Sequence, residues 1–225
     1  MSRKNTLSVD EFYHIFNRGT DKRTIFINES DYVRFIVLMY IANNPEPVFL
    51  QKFNEKNKNI KDVLSIHKKE TLVDIGAYCL MPNHFHILVR EKVENGTSLF
   101  MKKLCTGYSM YFNKKHQRTG TLFQGPFKSE HVTDDIHLKY LFAYIHLNPI
   151  KIIDTTWKEV GLKNLNETRI FLKKYQYSSY LDYLEQERVE KKILNREVFP
   201  EYFSNNKSFE YFLEEWLMFK EKEDL

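Results

Sequence analysis

Tyr78-Cys-Leu-Met-Pro-Asn-His-Phe-His-Ile-Leu-Val-Arg90 is the stretch on which the fold turns. Phe85, Ile87 and Val89 alternate with His84, His86, Leu88 and Arg90, the period of two that marks a β-strand with one apolar face. Pro82-Asn83 predicts a tight turn into this strand from the apolar run before it. Side chains two apart on a strand project together, about 7 Å apart along the backbone, so His84 and His86 emerge side by side. Two neutral imidazoles so placed can hold one divalent cation. Two solvated histidines on an exposed strand would give the same pattern, so the pair needs a second motif.

That motif ends the segment Asp134-Asp-Ile-His-Leu-Lys-Tyr-Leu-Phe-Ala-Tyr-Ile-His-Leu-Asn-Pro149. Leu138, Leu141, Phe142 and Ile145 recur at the spacing of an amphipathic helix, with Asp134 and Asp135 placed to cap and charge its start. Pro149 predicts that the element ends at Asn148. His137, Tyr144 and Asn148 share one stripe bordering the apolar face, because four residues turn a helix through nearly a full revolution. His146 and Lys139 point the other way and are expected in solvent or on phosphate. A tyrosine beside a core stripe is usually a packed aromatic, so Tyr144 becomes a candidate only together with the histidine pair.

The remaining periodicities give a strand at 11–17, a helix at 30–43, strands at 72–80 and 84–91, a helix at 98–116, a strand at 122–132 and a helix at 134–148. This order predicts an α+β, ferredoxin-like sandwich: an antiparallel sheet with helices on one face. The other face, bearing His84 and His86, is expected to stay open. Residues 1–150 form the expected domain, with 51–70, which carries six lysines, as a variable insertion where Val63, Leu64 and Ile66 can make a short helix. Residues 151–225 are expected as a helical extension packed on the core through Trp157, Phe171 and Tyr180. Its last helix carries Phe209, Phe212, Leu213, Trp216, Leu217 and Phe219 on one face, to be buried within the chain or, alternatively, in a homodimer.

The net charge of +4 is a modest bias, but its arrangement is uneven. Residues 182–225 carry twelve acids against seven bases, a net of −5, which leaves +9 on residues 1–181. Between Met101 and His131 stand Lys102, Lys103, Lys114, Lys115, Arg118 and Lys128 against the single acid Glu130. Such a stripe can displace counterions from a DNA backbone, although lysines on a helix are as often a solvated face. Arg18 and Lys22, after the first strand, are placed to grip phosphate. Most aromatics, among them Phe12, Phe16, Phe35, Phe85 and Phe142, are expected in the core, with Tyr13 and Tyr111 as candidates for base stacking. Cys79 and Cys105 indicate neither a disulfide scaffold nor a cysteine metal site. With no apolar leader in Met1-Ser-Arg-Lys-Asn-Thr and no membrane-length apolar run, the chain reads as cytoplasmic.

Four stretches, in order, resemble the REP-associated tyrosine transposases of the single-tyrosine HUH endonuclease superfamily. They are Tyr13-His-Ile-Phe-Asn-Arg-Gly19, Leu80-Met-Pro-Asn-His-Phe-His-Ile-Leu88, Arg118-Thr-Gly-Thr-Leu-Phe-Gln-Gly125 with Lys128-Ser129, and Tyr144-Ile-His-Leu-Asn-Pro-Ile-Lys151; Tyr177-Ser-Ser-Tyr180 is a weaker echo. The resemblance implies that His84 and His86 are paired metal ligands, that Asn148 completes the metal site, and that Tyr144 is the nucleophile. It implies a 5′-phosphotyrosine intermediate on single-stranded DNA bearing a hairpin, with Mg²⁺ or Mn²⁺ as cofactor; by ligand preference alone, two imidazoles and an amide also suit zinc. Arg18, Lys22, Arg90, Lys102, Lys103, Lys114, Lys115, Arg118, Lys128 and Lys151 are the candidate DNA contacts. Pro126 and Phe127 depart from the family, which commonly has an arginine and an aromatic there. Two other functions fit the same residues: a domesticated DNA-binding protein without cleavage, and a hydrolase acting through metal-bound water.

Overall fold

The computed structural model describes residues 7–46, 60–68 and 70–218. The N-terminal hexapeptide, residues 51–59 of the insertion and Phe219 lie outside the described residues. Four strands, β1 (Phe12–Arg18), β2 (Val73–Met81), β3 (His84–Glu91) and β4 (Lys128–His131), form one antiparallel sheet in the order β2-β3-β1-β4. The helices are α1 (Glu29–Ala42), α2 (Ile60–Leu64), α3 (Gly96–Lys115), α4 (Asp135–Leu147), α5 (Trp157–Val160), α6 (Leu165–Lys174), α7 (Tyr180–Tyr183) and α8 (Asn206–Met218). The order β-α-β-β-α-β over the main elements is the expected sandwich. Pro82-Asn83 makes the β2–β3 turn, and α2 is the expected short helix, with Val63 and Leu64 buried.

The alternation of β3 divides the core in two. Phe85, Ile87 and Val89 pack with Ile15 of β1 under α1 and α3, against Phe35, Leu38, Phe100, Leu104 and Tyr108. Leu88, with Ala77 and Cys79 of β2, faces the other way, against Leu138, Leu141, Phe142 and Ile145 of α4. The second face is therefore not open as expected: α4 lies across it, and the C-terminal segments lie over α4. Aromatic rings of Tyr183, Phe199, Tyr202 and Phe203 surround Phe142, all with centroids within 6.0 Å. The last helix docks within the chain, burying Phe209, Leu213 and Leu217 in the same cluster. Its acids Glu210 and Glu214 pair with Lys173 and Arg169 of α6.

Residues beyond Pro149 also close the sheet edge. Leu80 N donates to Tyr177 O and Ser179 N to Tyr78 O, so residues 177–179 run alongside β2 and cover its free backbone groups. Further along β2, Gly76 sits in a bulge between Ile75 and Ala77, where a Cβ would stand 2.6 Å from ring carbons of Phe199. The bulge lets the extension approach the strand closely.

Two elements differ from expectation. The strand expected over 122–132 shrinks to Lys128–His131, because Gly120, Gly125 and Pro126 break the pairing and leave Leu122 and Phe123 buried in a loop. Asn148 stays in the right-handed helical region although Pro149 follows it, and α4 continues as the 3₁₀ turn Asn148–Ile152 instead of stopping. At its other end Asp134 caps α4 as expected, accepting His137 N at 2.8 Å.

If the Phe142 cluster fixes α4 on the sheet, Phe142→Ala should cost about 3–5 kcal/mol of unfolding free energy in urea denaturation. A loss below about 1 kcal/mol would show that α4 is held by something else.

Candidate active site

The strand register assembles the site. In β1–β3 pairing Arg18 stands opposite His84 and Phe16 opposite His86; in β2–β3 pairing Met81 and Cys79 flank the same two histidines. Opposed residues of antiparallel strands share a face, so Arg18 projects beside His84. Helix α4 then brings Tyr144 down onto this row. The Tyr144 ring centroid lies 5.2 Å from that of His86, edge to face, and 5.8 Å from that of His14. His84 and His86 have centroids 5.0 Å apart with nearly perpendicular rings. Helix and histidines belong to one chain, so the tyrosine stands at its own histidine pair.

Asn148, one turn beyond Tyr144 and fully buried, is close enough to His84 and Tyr144 to shift the protonation of both. Neither its Oδ1 nor its Nδ2 completes a hydrogen bond, and buried Nε2 of His86 also has no partner. Unpaired buried polar atoms cost free energy unless something answers them. Two imidazoles and one amide are a fitting partial donor set for a divalent cation, the remaining positions falling to water and phosphate oxygens. Among the described residues no group of three or more His, Cys, Asp or Glu is placed to hold a metal ion, so a donor set here has to draw on the Asn148 amide.

Protonation suits this reading. Burial, followed by the charges of Arg18 and Lys151, lowers the His84 pKa to about 4. Burial and then His14, His84, Lys151 and Lys158 hold His86 well below the ordinary histidine value. Both rings are thus neutral at physiological pH, the form that binds metal. Burial raises the Tyr144 pKa above the usual phenol value, with the neighbouring Asn148 acting in the opposite direction. The phenol is protonated in this state. Lys158 Nζ lies 4.1 Å from its ring centroid.

The family model described as "Transposase IS200 like" matches residues 13–148, more than half of the chain. The chain belongs to this transposase family. The resemblance read from the sequence is borne out at that level, and with it a transposase that acts on DNA. Among solved structures, one described as "Structure of the REP associates tyrosine transposase bound to a REP hairpin" shares the fold, with a TM-score of 0.50 and 11% identity over 84% of this chain and 89% of that one. No curated protein matches.

The IS200-like transposase brings some of the expected DNA contacts to the site and leaves others elsewhere. Arg18 and Lys151 border His84, and Arg18 Nε is buried without a hydrogen-bond partner. The Lys22 carbonyl accepts from Asn83 Nδ2, which holds its loop against the β2–β3 turn. Lys128 Nζ lies 6.0 Å from the ring of Phe16, itself half-buried beside His86 and not part of the closed core. Lys102, Lys103, Lys114 and Lys115 ride on α3, across the sheet from the histidines. Lys103 donates to the carbonyls of Asn44, Pro45 and Glu46, and Lys115 to Asp31, Asn28 and Ser30. Arg118 is used by Asn113 and the Thr121 carbonyl, and Arg90, at the far end of β3, pairs with Asp74 and Asp10. Lys102 and Lys114 are exposed.

Three aromatic or imidazole groups are corrected by the fold. Tyr13 is buried and its hydroxyl accepts from Ser8 N; Tyr111 is wedged between α1 and α3, donating to Ser30 O and Asp31. Neither face is presented to a base. His146, expected in solvent, is fully buried, with Nδ1 on Phe142 O and Nε2 on Ser179 Oγ, each at 2.8 Å. The extension covers the side of α4 that would otherwise face water. Sequence reasoning missed His14, Glu130 and Lys158. Strand alternation could have placed His14 on the face of Arg18, but nothing local reports its neighbours.

Burial lowers the His146 pKa from 6.5 to about 3 and that of His84 to about 4, so the unfolded chain takes up these protons first. Stability should fall as pH drops below about 6.5, by up to about 1.4 kcal/mol per pH unit for each such histidine. Urea midpoints between pH 6.5 and 4.5 check this: His146→Gln should show a shallower fall than the native chain, and an equal slope would contradict the assignment.

Proposed function

We propose that this transposase cleaves and rejoins single-stranded DNA at hairpin-bearing sites by metal-dependent transesterification through Tyr144. One observation supports this most: the Tyr144 phenol stands edge-on to His86, within one chain, beside unpaired nitrogen and amide atoms. The Tyr144 oxygen would attack the scissile phosphorus, losing its proton to solvent as the new P–O bond forms. The bond to the 3′-oxygen breaks, and that oxygen leaves with the bonding pair and takes up a proton. This yields a 5′-phosphotyrosine and a free 3′-hydroxyl. Because a phenolate leaves more readily than an alkoxide, the linkage retains the bond's free energy and a later 3′-hydroxyl can reverse the step. No nucleotide cofactor is needed.

Mg²⁺ or Mn²⁺, held by His84, His86 and Asn148, would supply positive charge to the non-bridging phosphate oxygens. The chain's own groups do the rest. Arg18 and Lys151 bind the backbone phosphate next to His84. The Lys158 ammonium over the Tyr144 ring packs on its π face and adds positive charge beside the nucleophile. Lys22 and Lys128, at either side, extend the track along the strand. The donor set contains no carboxylate, so His84, His86 and Asn148 would hold a cation only weakly without the added oxygens of an anionic DNA.

The test is a denaturation-resistant adduct between the protein and labelled hairpin-containing single strands in the presence of Mg²⁺ or Mn²⁺. The native chain should form it; Tyr144→Phe and added EDTA should abolish it. Cutting without an adduct would favour a metal-water hydrolase. Binding without cutting would favour a DNA-binding protein that has lost the chemistry.

A further inference from the structure

Next to the His84–His86 row lies a second row of hydrogen bonds that crosses three strands, buried at His86 and His14 and exposed at Glu130. His14 of β1 stands directly opposite Glu130 of β4, and on the other side is diagonal to His86 of β3. Its Nε2 is 2.8 Å from His86 Nδ1, and its Nδ1 is 3.4 Å from Glu130 Oε2. The His14 and His86 rings stack with centroids 5.0 Å apart. His14 is almost wholly buried, so its orientation is set by packing and these two bonds.

The direction of each bond follows from what its ends can do. An ionised carboxylate only accepts, so His14 Nδ1 carries the hydrogen that faces Glu130. A neutral imidazole carries only one ring hydrogen, and His14 Nε2 is therefore an acceptor. His86 Nδ1 must then be the donor to it. That leaves the His86 lone pair on Nε2, the buried nitrogen without a partner. The reverse assignment would set an Nε2–H of His86 against no acceptor and two lone pairs against each other at Glu130.

His84 is set in the same way from a different source. Asn83 Nδ2 donates to the Lys22 carbonyl, which fixes the amide so that Asn83 Oδ1 accepts from His84 Nδ1 at 2.6 Å. Two unrelated chains of hydrogen bonds thus impose one tautomer on neighbouring rings.

We infer that His14 and Glu130 are positioning residues, a carboxylate–imidazole relay that locks His86 in the Nδ1–H tautomer and aims its Nε2 lone pair into the site. The inference rests on the proposed function only for the use to which the lone pair is put. Outer partners of this kind orient a metal-binding histidine and raise its basicity, and their loss typically weakens metal binding about 10–100-fold.

Long-range ¹H–¹⁵N NMR of the full-length protein at neutral pH, free of metal and DNA, reads the tautomers directly. His14, His84 and His86 should all show protonated Nδ1. In His14→Phe, His86 should move toward the Nε2–H form while His84 stays unchanged as an internal control. His14→Gln, whose amide oxygen can still accept from His86, should restore Nδ1–H. Mn²⁺ affinity, followed by electron paramagnetic resonance, should fall about 10–100-fold in His14→Phe and recover in His14→Gln. Glu130 is largely exposed, so Glu130→Ala should fold and should release His14 from its single tautomer. A native His86 protonated on Nε2, or a His86 tautomer indifferent to both His14→Phe and Glu130→Ala, would overturn the relay. Since no DNA is present, correct tautomers with no Tyr144 adduct would sink the proposed function and leave the relay standing, and the converse would do the opposite.

Discussion

The packing of α4 across the second face of the sheet is the contact on which the rest depends. Leu138, Leu141, Phe142 and Ile145 fill the space over Ala77, Cys79 and Leu88, and this fixes the rotation and height of the helix. With that rotation set, Tyr144 has one place to go, the row of imidazoles, and Asn148 follows one turn later. The extension matters because it presses α4 from behind: Phe142 and His146 meet Tyr183, and Phe203 and Phe209 close the layer. A site that needs sub-ångström placement is thereby built on a strand and a helix clamped from both sides, not on loops.

Burial does chemical work at the same contact. It keeps His84 and His86 neutral among Arg18, Lys151 and Lys158, so their lone pairs are available while the surroundings stay cationic. The same burial makes the Tyr144 phenol harder to ionise. The imidazole row, neutral itself and bordered by cationic side chains, is therefore complementary to an anion.

Much of this was legible because it rests on local periodicity. The alternation through Phe85, His86 and Ile87, the Pro82-Asn83 turn, the Asp134 cap and the spacing of Tyr144 from Asn148 each follow from a few neighbouring residues. What was not legible depends on which strands and layers become neighbours. His14 meets His86 only because β1 lies between β3 and β4. The α3 lysines carry the strongest linear basic signal, yet α3 packs on the side of the sheet away from the histidines. His146 reads as an outer residue on an isolated helix, and becomes core only when residues beyond Pro149 fold over it. Lys158 comes from that same late segment, seven residues past the Tyr144–Lys151 motif and outside any motif.

The central claim, that α4 delivers this particular phenol to the imidazole row, has a built-in competitor: Tyr140 lies one turn earlier on the same helix, its ring centroid 5.8 Å from that of Tyr144. Tandem mass spectrometry of the proteolysed protein–DNA adduct distinguishes the two. The account predicts a nucleotide phosphate remnant on Tyr144, with Tyr140 unmodified. A remnant on Tyr140 or on any other residue would contradict it.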